Sequence, residues 1–64
     1  MKEFLIQKSC TIIEALKRMS KSGEKSLIVV NHNEKLLGIL SDGDLRRAIL
    51  NKKKLTENIS KIYN

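Results

Sequence analysis

Two uninterrupted apolar runs, residues 27–30 and 36–40, constrain the fold of this 64-residue chain more than any other feature. Neither run alternates apolar with polar side chains, which is typical of strands that are covered on both faces. Residues 31–35 between them are polar and rich in residue types that tolerate left-handed backbone, so the two runs are predicted to form a hairpin. Any fold for the chain must therefore cover both faces of a small sheet.

A helix is predicted over residues 11–22, after a short strand candidate at residues 4–7. Thr11 and Glu14 have the spacing of a capping box, and Gly23 is a natural helix stop. The apolar residues after the cap recur at helical intervals, as Ile12, Ala15, Leu16 and Met19. The predicted helix therefore separates the first strand from the hairpin.

A second helix is predicted over about residues 42–50, because Ser41 and Asp44 can cap it. Beyond the basic residues 52–54, four apolar residues at helical spacing predict a short final helix or a docked tail: Leu55, Ile59, Ile62 and Tyr63. The order β-α-β-β-α is a small α/β (α+β) fold with two helices on one face of a three-stranded sheet. Since two helices cannot cover both faces, we expect the other face to be buried against a second copy of the domain.

The size of the chain also favours a partner. Below about 70–80 residues a single core seldom supplies more than about 3–5 kcal/mol without a disulfide, a metal or a partner chain. A single cysteine excludes an intrachain disulfide, and the lone Cys10 and His32 offer no metal-ligand cluster. Oligomerisation is the expected source of added stability, and no cofactor is predicted.

The net charge of +6 is concentrated late in the chain. Residues 1–45 carry seven Lys or Arg against six Asp or Glu, a net +1, whereas residues 46–64 carry six against one, a net +5. Such a bias suits anionic ligands, nucleic acid or acidic partners. No apolar run approaches the roughly 18 residues of a membrane span and no signal peptide is recognisable, so a cytoplasmic setting is expected.

Residues 38–44, Gly-Ile-Leu-Ser-Asp-Gly-Asp, resemble the glycine–apolar–apolar–Thr/Ser–x–x–Asp signature of the cystathionine-β-synthase-type (CBS) domain. Three further stretches are similar to that family in the same order: residues 11–16, 27–31 and 35–41. We interpret residues 1–64 as a single CBS motif, in which residues 55–64 form an exit helix or a linker toward a second motif. One motif alone is expected to pair with another copy of itself or to belong to a longer protein.

The resemblance implies a regulatory module rather than a catalyst. In this family two motifs pair through their sheets, and the clefts bind adenosyl compounds such as AMP, ADP or ATP. Carried onto this sequence, the resemblance puts Asp44 on the ribose hydroxyls and Ser41 near the ribose or phosphate. Arg46 and Arg47 are candidates for phosphate, because guanidinium matches phosphate oxygens bidentately. Gly43 departs from the family pattern, since many nucleotide-binding members carry Arg or Lys beside the aspartate.

The candidate ligand-binding residues form two groups. The first group lies in the turn and at the start of the second predicted helix: Ser41, Asp42, Gly43, Asp44, Arg46 and Arg47. The second group would line a pocket for the adenine base: Ile6, Leu27 and Ile28.

The run of residues 41–47 also resembles CBS segments attached to bacterial sugar-phosphate enzymes of surface-polysaccharide pathways. In sugar-phosphate nucleotidyltransferases the pair lies at the N-terminus, and in sugar-phosphate isomerases at the C-terminus. If Met1 is a native start, the nucleotidyltransferase is the expected parent enzyme.

Other interpretations remain open at this point. The domain could be a purely structural dimerisation module with a vestigial cleft, an interpretation that Gly43 favours. Ser41 and Asp44 could serve only as a helix cap, and the arginines only as a solvated face. Nucleic-acid binding through the basic tail is disfavoured, because Phe4 and Tyr63 are the only aromatic residues available for base stacking. Catalysis has least support, since the sequence has no paired nucleophile and base and no phosphate-loop glycine pattern.

Overall fold

A three-stranded mixed sheet forms the centre of the computed structural model, which describes residues 4–63. The strands are β1 (Leu5–Gln7), β2 (Ser26–Val30) and β3 (Leu36–Ser41), in the spatial order β1-β2-β3. The helices are α1 (Ile12–Ser22), between β1 and β2, and α2 (Asp42–Leu50), directly after β3. The predicted β-α-β-β-α order is confirmed, and the predicted tail contains a short 3-10 helix, Ile59–Lys61.

Local capping sets the limits of α1 as the sequence predicts. The Glu14 backbone N–H donates to Thr11 Oγ1 at 3.3 Å, and the Thr11 N–H donates back to Glu14 Oε1 at 2.8 Å. The helix ends at Gly23, whose φ of 76° suits a residue without a side chain and whose N–H donates to the Met19 carbonyl.

The core lies between the helices and one face of the sheet. β1 pairs with β2 in parallel, and β2 pairs with β3 antiparallel. Successive side chains of a strand point to opposite faces, except at the register shift between Val29 and Val30, which are both buried. Residues from all three strands and both helices form one buried cluster, whose largest fully buried members are Ile12, Leu27, Leu40, Leu45, Ile59 and Val29. The helices therefore cover a single face, as predicted.

The opposite face of the sheet stays apolar and open within the described chain. Leu5, Ile28 and Ile39 form one cross-strand row on this face. Ile39 is 51% exposed, and Leu36 and Leu37 on the same strand are also exposed.

The C-terminal segment, residues 52–63, is part of the fold rather than a free tail. The Ile12 and Ile13 backbone N–H groups, which have no partner within α1, donate to the carbonyls of Glu57 and Leu55, both at 2.9 Å. Ile59 has no exposed surface, and its N–H donates to the Cys10 carbonyl at 3.0 Å. The C-terminal segment therefore completes both the core and the start of α1. Within residues 4–63, no helix has the length and apolar character needed to cross a bilayer.

Candidate functional site

Ser41 and Asp44 meet where β3 passes into α2. Ser41 keeps extended backbone as the N-cap of α2, and its Oγ accepts a hydrogen bond from the Asp44 N–H at 3.1 Å. In return, Asp44 Oδ2 accepts from the Ser41 N–H at 2.9 Å. This second capping box holds the Asp44 carboxylate in one position at the carboxyl end of β3.

Asp44 is a buried carboxylate, with only 6% of its surface exposed. Its second oxygen, Oδ1, accepts from Arg47 Nη2 at 2.6 Å, and the Arg47 side chain is itself 67% exposed. Burial raises the pKa of Asp44, but the hydrogen bonds from Ser41 and the charge of Arg47 together outweigh it and hold the pKa below the ordinary value of 3.8. Asp44 therefore stays ionised and can accept hydrogen bonds from hydroxyl groups.

The lowered pKa of Asp44 predicts acid sensitivity. A carboxylate whose pKa is lower in the folded state stabilises the fold above its unfolded pKa, and this contribution is lost as the pH falls through the folded value. We expect the urea concentration at the midpoint of unfolding to decrease as the pH falls below about 3.8. The Asp44→Asn substitution is expected to make this decrease smaller. Asparagine keeps an oxygen for the Ser41 N–H but has no charge to lose. Equal acid sensitivity in the variant and the parent chain would contradict this assignment, leaving Glu14, whose pKa is also lowered, as a source.

The two arginines predicted to bind phosphate lie on different sides of α2. Arg46 Nη2 pairs with Asp42 Oδ2 at 2.7 Å, and both side chains face solvent. They border a groove of about 200 Å³ lined by Leu16, Asp42, Leu45, Arg46, Ile49 and Leu50, here called the α1–α2 groove. Successive helical residues point about 100° apart, which separates Arg46 from its neighbour. The structure therefore brings Arg47, and not Arg46 or Asp42, to Asp44.

A second groove, of about 290 Å³, opens beside Asp44 and Arg47. It lies between α2 and the C-terminal segment, and we call it the α2–tail groove. Its lining residues are Asp44, Arg47, Ala48, Asn51, Lys53, Lys61 and Ile62. Asn51, Lys53 and Lys61 line this groove but are not among the site residues predicted from the sequence. The spacing of residues 44, 47, 48 and 51 indicates one helix face, and the apolar spacing of the C-terminal segment predicts a docked tail, but the sequence does not show that the tail docks beside that face.

Of the three residues predicted to line a base pocket, Ile6 and Leu27 belong to the buried core cluster and Ile28 does not. Leu27 belongs to the core and has no exposed surface that a ligand could contact. Ile28 is half-buried on the opposite face of the sheet, because adjacent strand residues point to opposite sides. Ile6 is 4% exposed and borders a separate cavity of about 220 Å³ beside β1.

Gly43 leaves space beside the two polar groups of the site. A Cβ at this position would lie 3.6 Å from Arg47 Nη1 and 3.7 Å from Ser41 Oγ, which are ordinary van der Waals distances. Its φ is not among the positive values found in the described chain. The fold itself therefore does not require glycine at position 43.

The sequence matches a protein-family model and a longer protein of Helicobacter pylori. The CBS domain model matches residues 2–51. An uncharacterized protein of Helicobacter pylori (strain J99 / ATCC 700824) is 50% identical over 46 residues, which are 72% of this chain and 14% of that protein. The chain thus spans only a small part of this curated relative.

Solved structures share the fold. A CBS-domain containing protein from Agrobacterium tumefaciens superposes with a TM-score of 0.87 at 19% identity, over 94% of this chain and 46% of that one. A CBS domain protein from Pyrobaculum aerophilum, solved in complex with AMP, gives a TM-score of 0.87 at 18% identity, over 94% of this chain and 47% of that one. Since the family model covers most of the sequence and includes the Ser41–Asp44 capping box, the chain belongs to the CBS domain family.

Proposed function

We propose that this chain is a regulatory module of the cytoplasm that binds an adenine nucleotide at Asp44 and modulates an attached enzyme. The observation that carries the proposal is the buried Asp44 carboxylate, held in place by the Ser41 N–H within the family signature. The AMP complex of the Pyrobaculum protein supports the choice of ligand. No step of catalysis is assigned to the chain.

The geometry at Asp44 suggests how a ribose would bind. A carboxylate accepts hydrogen bonds from two neighbouring hydroxyl groups, and bonds to a charged acceptor are the stronger ones. Asp44 Oδ2 accepts a hydrogen bond from the Ser41 N–H, whereas Oδ1 pairs with Arg47, whose side chain is largely exposed to solvent. Because the Arg47 side chain is 67% exposed while Asp44 is buried, a ribose hydroxyl can take the place of Arg47 at Oδ1 as the guanidinium turns into solvent. The released guanidinium is then free to meet a phosphate.

Calorimetric titration of AMP, ADP and ATP into the chain tests this proposal. We expect micromolar binding of at least one of the three. Absence of heat with all three, on protein shown to be folded and paired, would refute nucleotide sensing and favour the alternative below.

Pairing through the open sheet face is part of the proposal. The row of Leu5, Ile28 and Ile39 presents apolar surface that a second CBS motif, here a second copy of the chain, would cover. Burying this row would also compensate for the small core.

Ile39→Glu is expected to convert the dimer into a monomer, because pairing would bury an unpaired carboxylate. We expect the dimer affinity to fall roughly a hundredfold or more, measured by light scattering across a dilution series. Leu50→Glu is the control, since Leu50 is 73% exposed on the helix side. Pairing through the sheet would be contradicted if Leu50→Glu dissociated the dimer and Ile39→Glu did not. It would also be contradicted if the parent chain were monomeric across the whole dilution series.

The attached enzyme is proposed to be a sugar-phosphate nucleotidyltransferase. The support is the resemblance of residues 41–47 to CBS segments of such enzymes, together with the greater length of the Helicobacter relative. Assay of nucleotidyltransferase activity in the full-length gene product, with and without adenine nucleotide, tests the assignment.

A structural dimerisation module is the second candidate, and Gly43 is the observation that favours it. Without a cation at this position, the turn beside Asp44 lacks one phosphate partner common in the family. This candidate predicts that Asp44→Ala changes neither dimer assembly nor the activity of the parent enzyme.

A further inference from the structure

The α2–tail groove carries an excess of positive charge. Three of its lining residues are cations, Arg47, Lys53 and Lys61, against the single carboxylate of Asp44. That carboxylate already accepts hydrogen bonds from the Ser41 N–H and from Arg47. Within residues 4–63, neither Lys53 nor Lys61 takes part in an ion pair. The groove therefore has cationic groups available for an anion.

The backbone positions of both lysines are fixed by the fold although their side chains are exposed. The Lys53 N–H donates to the Ala48 carbonyl at 3.0 Å, in a turn that Lys52 makes with a φ of 66°. Lys61 ends the 3-10 helix that begins at the fully buried Ile59. The two cations are thus held on the wall of the groove that faces α2.

The groove is continuous with the proposed ribose site, because Asp44 and Arg47 belong to both. A phosphate chain attached to a ribose at Asp44 would first reach Arg47 and then extend along α2 toward Asn51, with the lysines on the opposite wall. A phosphate monoester carries about two negative charges at neutral pH, and a longer chain carries more. Cations spread along a groove therefore favour a chain of phosphates over a single one.

We propose that the α2–tail groove binds the phosphate chain of a nucleoside diphosphate or triphosphate, with Arg47, Lys53 and Lys61 as its cationic ligands. The nucleoside part of this assignment rests on the proposed function. The anion site itself does not, since the groove should also bind a free inorganic phosphate chain.

The test uses inorganic tripolyphosphate, AMP and ATP as separate calorimetric probes. The test variant is Lys53→Met with Lys61→Met, which removes two groove cations and keeps the aliphatic stems. The control is Lys21→Met with Lys35→Met, which makes the same charge change in α1 and beside the hairpin turn. Circular dichroism verifies that both double variants are folded.

The groove variant is expected to lose tripolyphosphate binding and to lower the ratio of ATP to AMP affinity by at least about tenfold. The control variant is expected to change that ratio by less than about threefold, because its charges lie outside the groove. The proposal would be overturned if both double variants changed the ratio of ATP to AMP affinity equally. It would also be overturned if the groove variant lowered the affinities for AMP and ATP by the same factor.

Failure of the groove and failure of the nucleotide site give different results. Binding of tripolyphosphate that needs Lys53 and Lys61, without binding of any nucleotide, would support the groove and refute the proposed function. Binding of AMP with no tripolyphosphate binding and no preference for ATP would support the proposed function and refute the groove.

Discussion

Asp44→Ala is expected to abolish binding of adenine nucleotides, with an affinity loss of roughly a hundredfold or more. The reason is that a hydrogen bond to a charged group contributes about 1.5–3 kcal/mol, and the ribose offers two hydroxyl donors. The measurement is the same calorimetric titration that tests the proposed function. Asp44→Asn is a second variant that keeps the hydrogen bond to Ser41, so loss of binding in both is not a folding effect.

Asp42→Ala is the matched control for Asp44→Ala. Asp42 is also an acid in the first turn of α2, but it is exposed and pairs with Arg46 on the side of the α1–α2 groove. We expect it to change nucleotide affinity by less than about threefold. An equal loss of nucleotide affinity in Asp42→Ala and Asp44→Ala would mean that the total charge of the turn determines binding, rather than the position of one carboxylate. Unchanged binding in folded Asp44→Ala would refute the assignment of Asp44.

Ile59→Ala is expected to destabilise the domain by about 2–5 kcal/mol, the usual range for truncation of a fully buried isoleucine. That loss is comparable to the roughly 3–5 kcal/mol that a core of this size supplies, so most of the protein should be unfolded. Urea denaturation followed by circular dichroism measures the change.

Leu55→Ala is the control for Ile59→Ala, because it removes an aliphatic side chain from the same segment. Leu55 is 43% exposed, so we expect a loss below about 1 kcal/mol. A similar, small effect of the two substitutions would show that the C-terminal segment contributes little to stability.

The sequence predicts the fold well where the determinants are local. Capping boxes at Thr11 and Ser41, each followed by apolar residues at helical spacing, define where α1 and α2 begin. Uninterrupted apolar runs bounded by polar turn residues identify β2 and β3, because such short runs are typical of strands. The Ser41–Asp44 pair was found for the same reason, because the residues of a capping box lie only three positions apart.

The sequence predicts less of the candidate site, because it does not show which face of each element borders which groove. Arg46 and Arg47 look equivalent in a list of basic residues, but helix geometry places them on different grooves. Leu27 and Ile28 are equally apolar, yet strand alternation puts one in the core and the other on the open face. The apolar spacing of the C-terminal segment predicts that it docks, but not that its docked position brings Lys61 beside α2.

The pairing of α1 with the C-terminal segment also sets an order for folding during synthesis. The Ile12 and Ile13 N–H groups are made early, but their acceptors at Glu57 and Leu55 leave the ribosome more than forty residues later. A nascent chain that has emerged only through residue 51 contains the whole region matched by the family model, yet it lacks Ile59 and those carbonyls. We therefore expect such a chain to remain sensitive to protease until the following residues emerge. The structure that must form for these contacts to be complete therefore extends beyond the region matched by the family model.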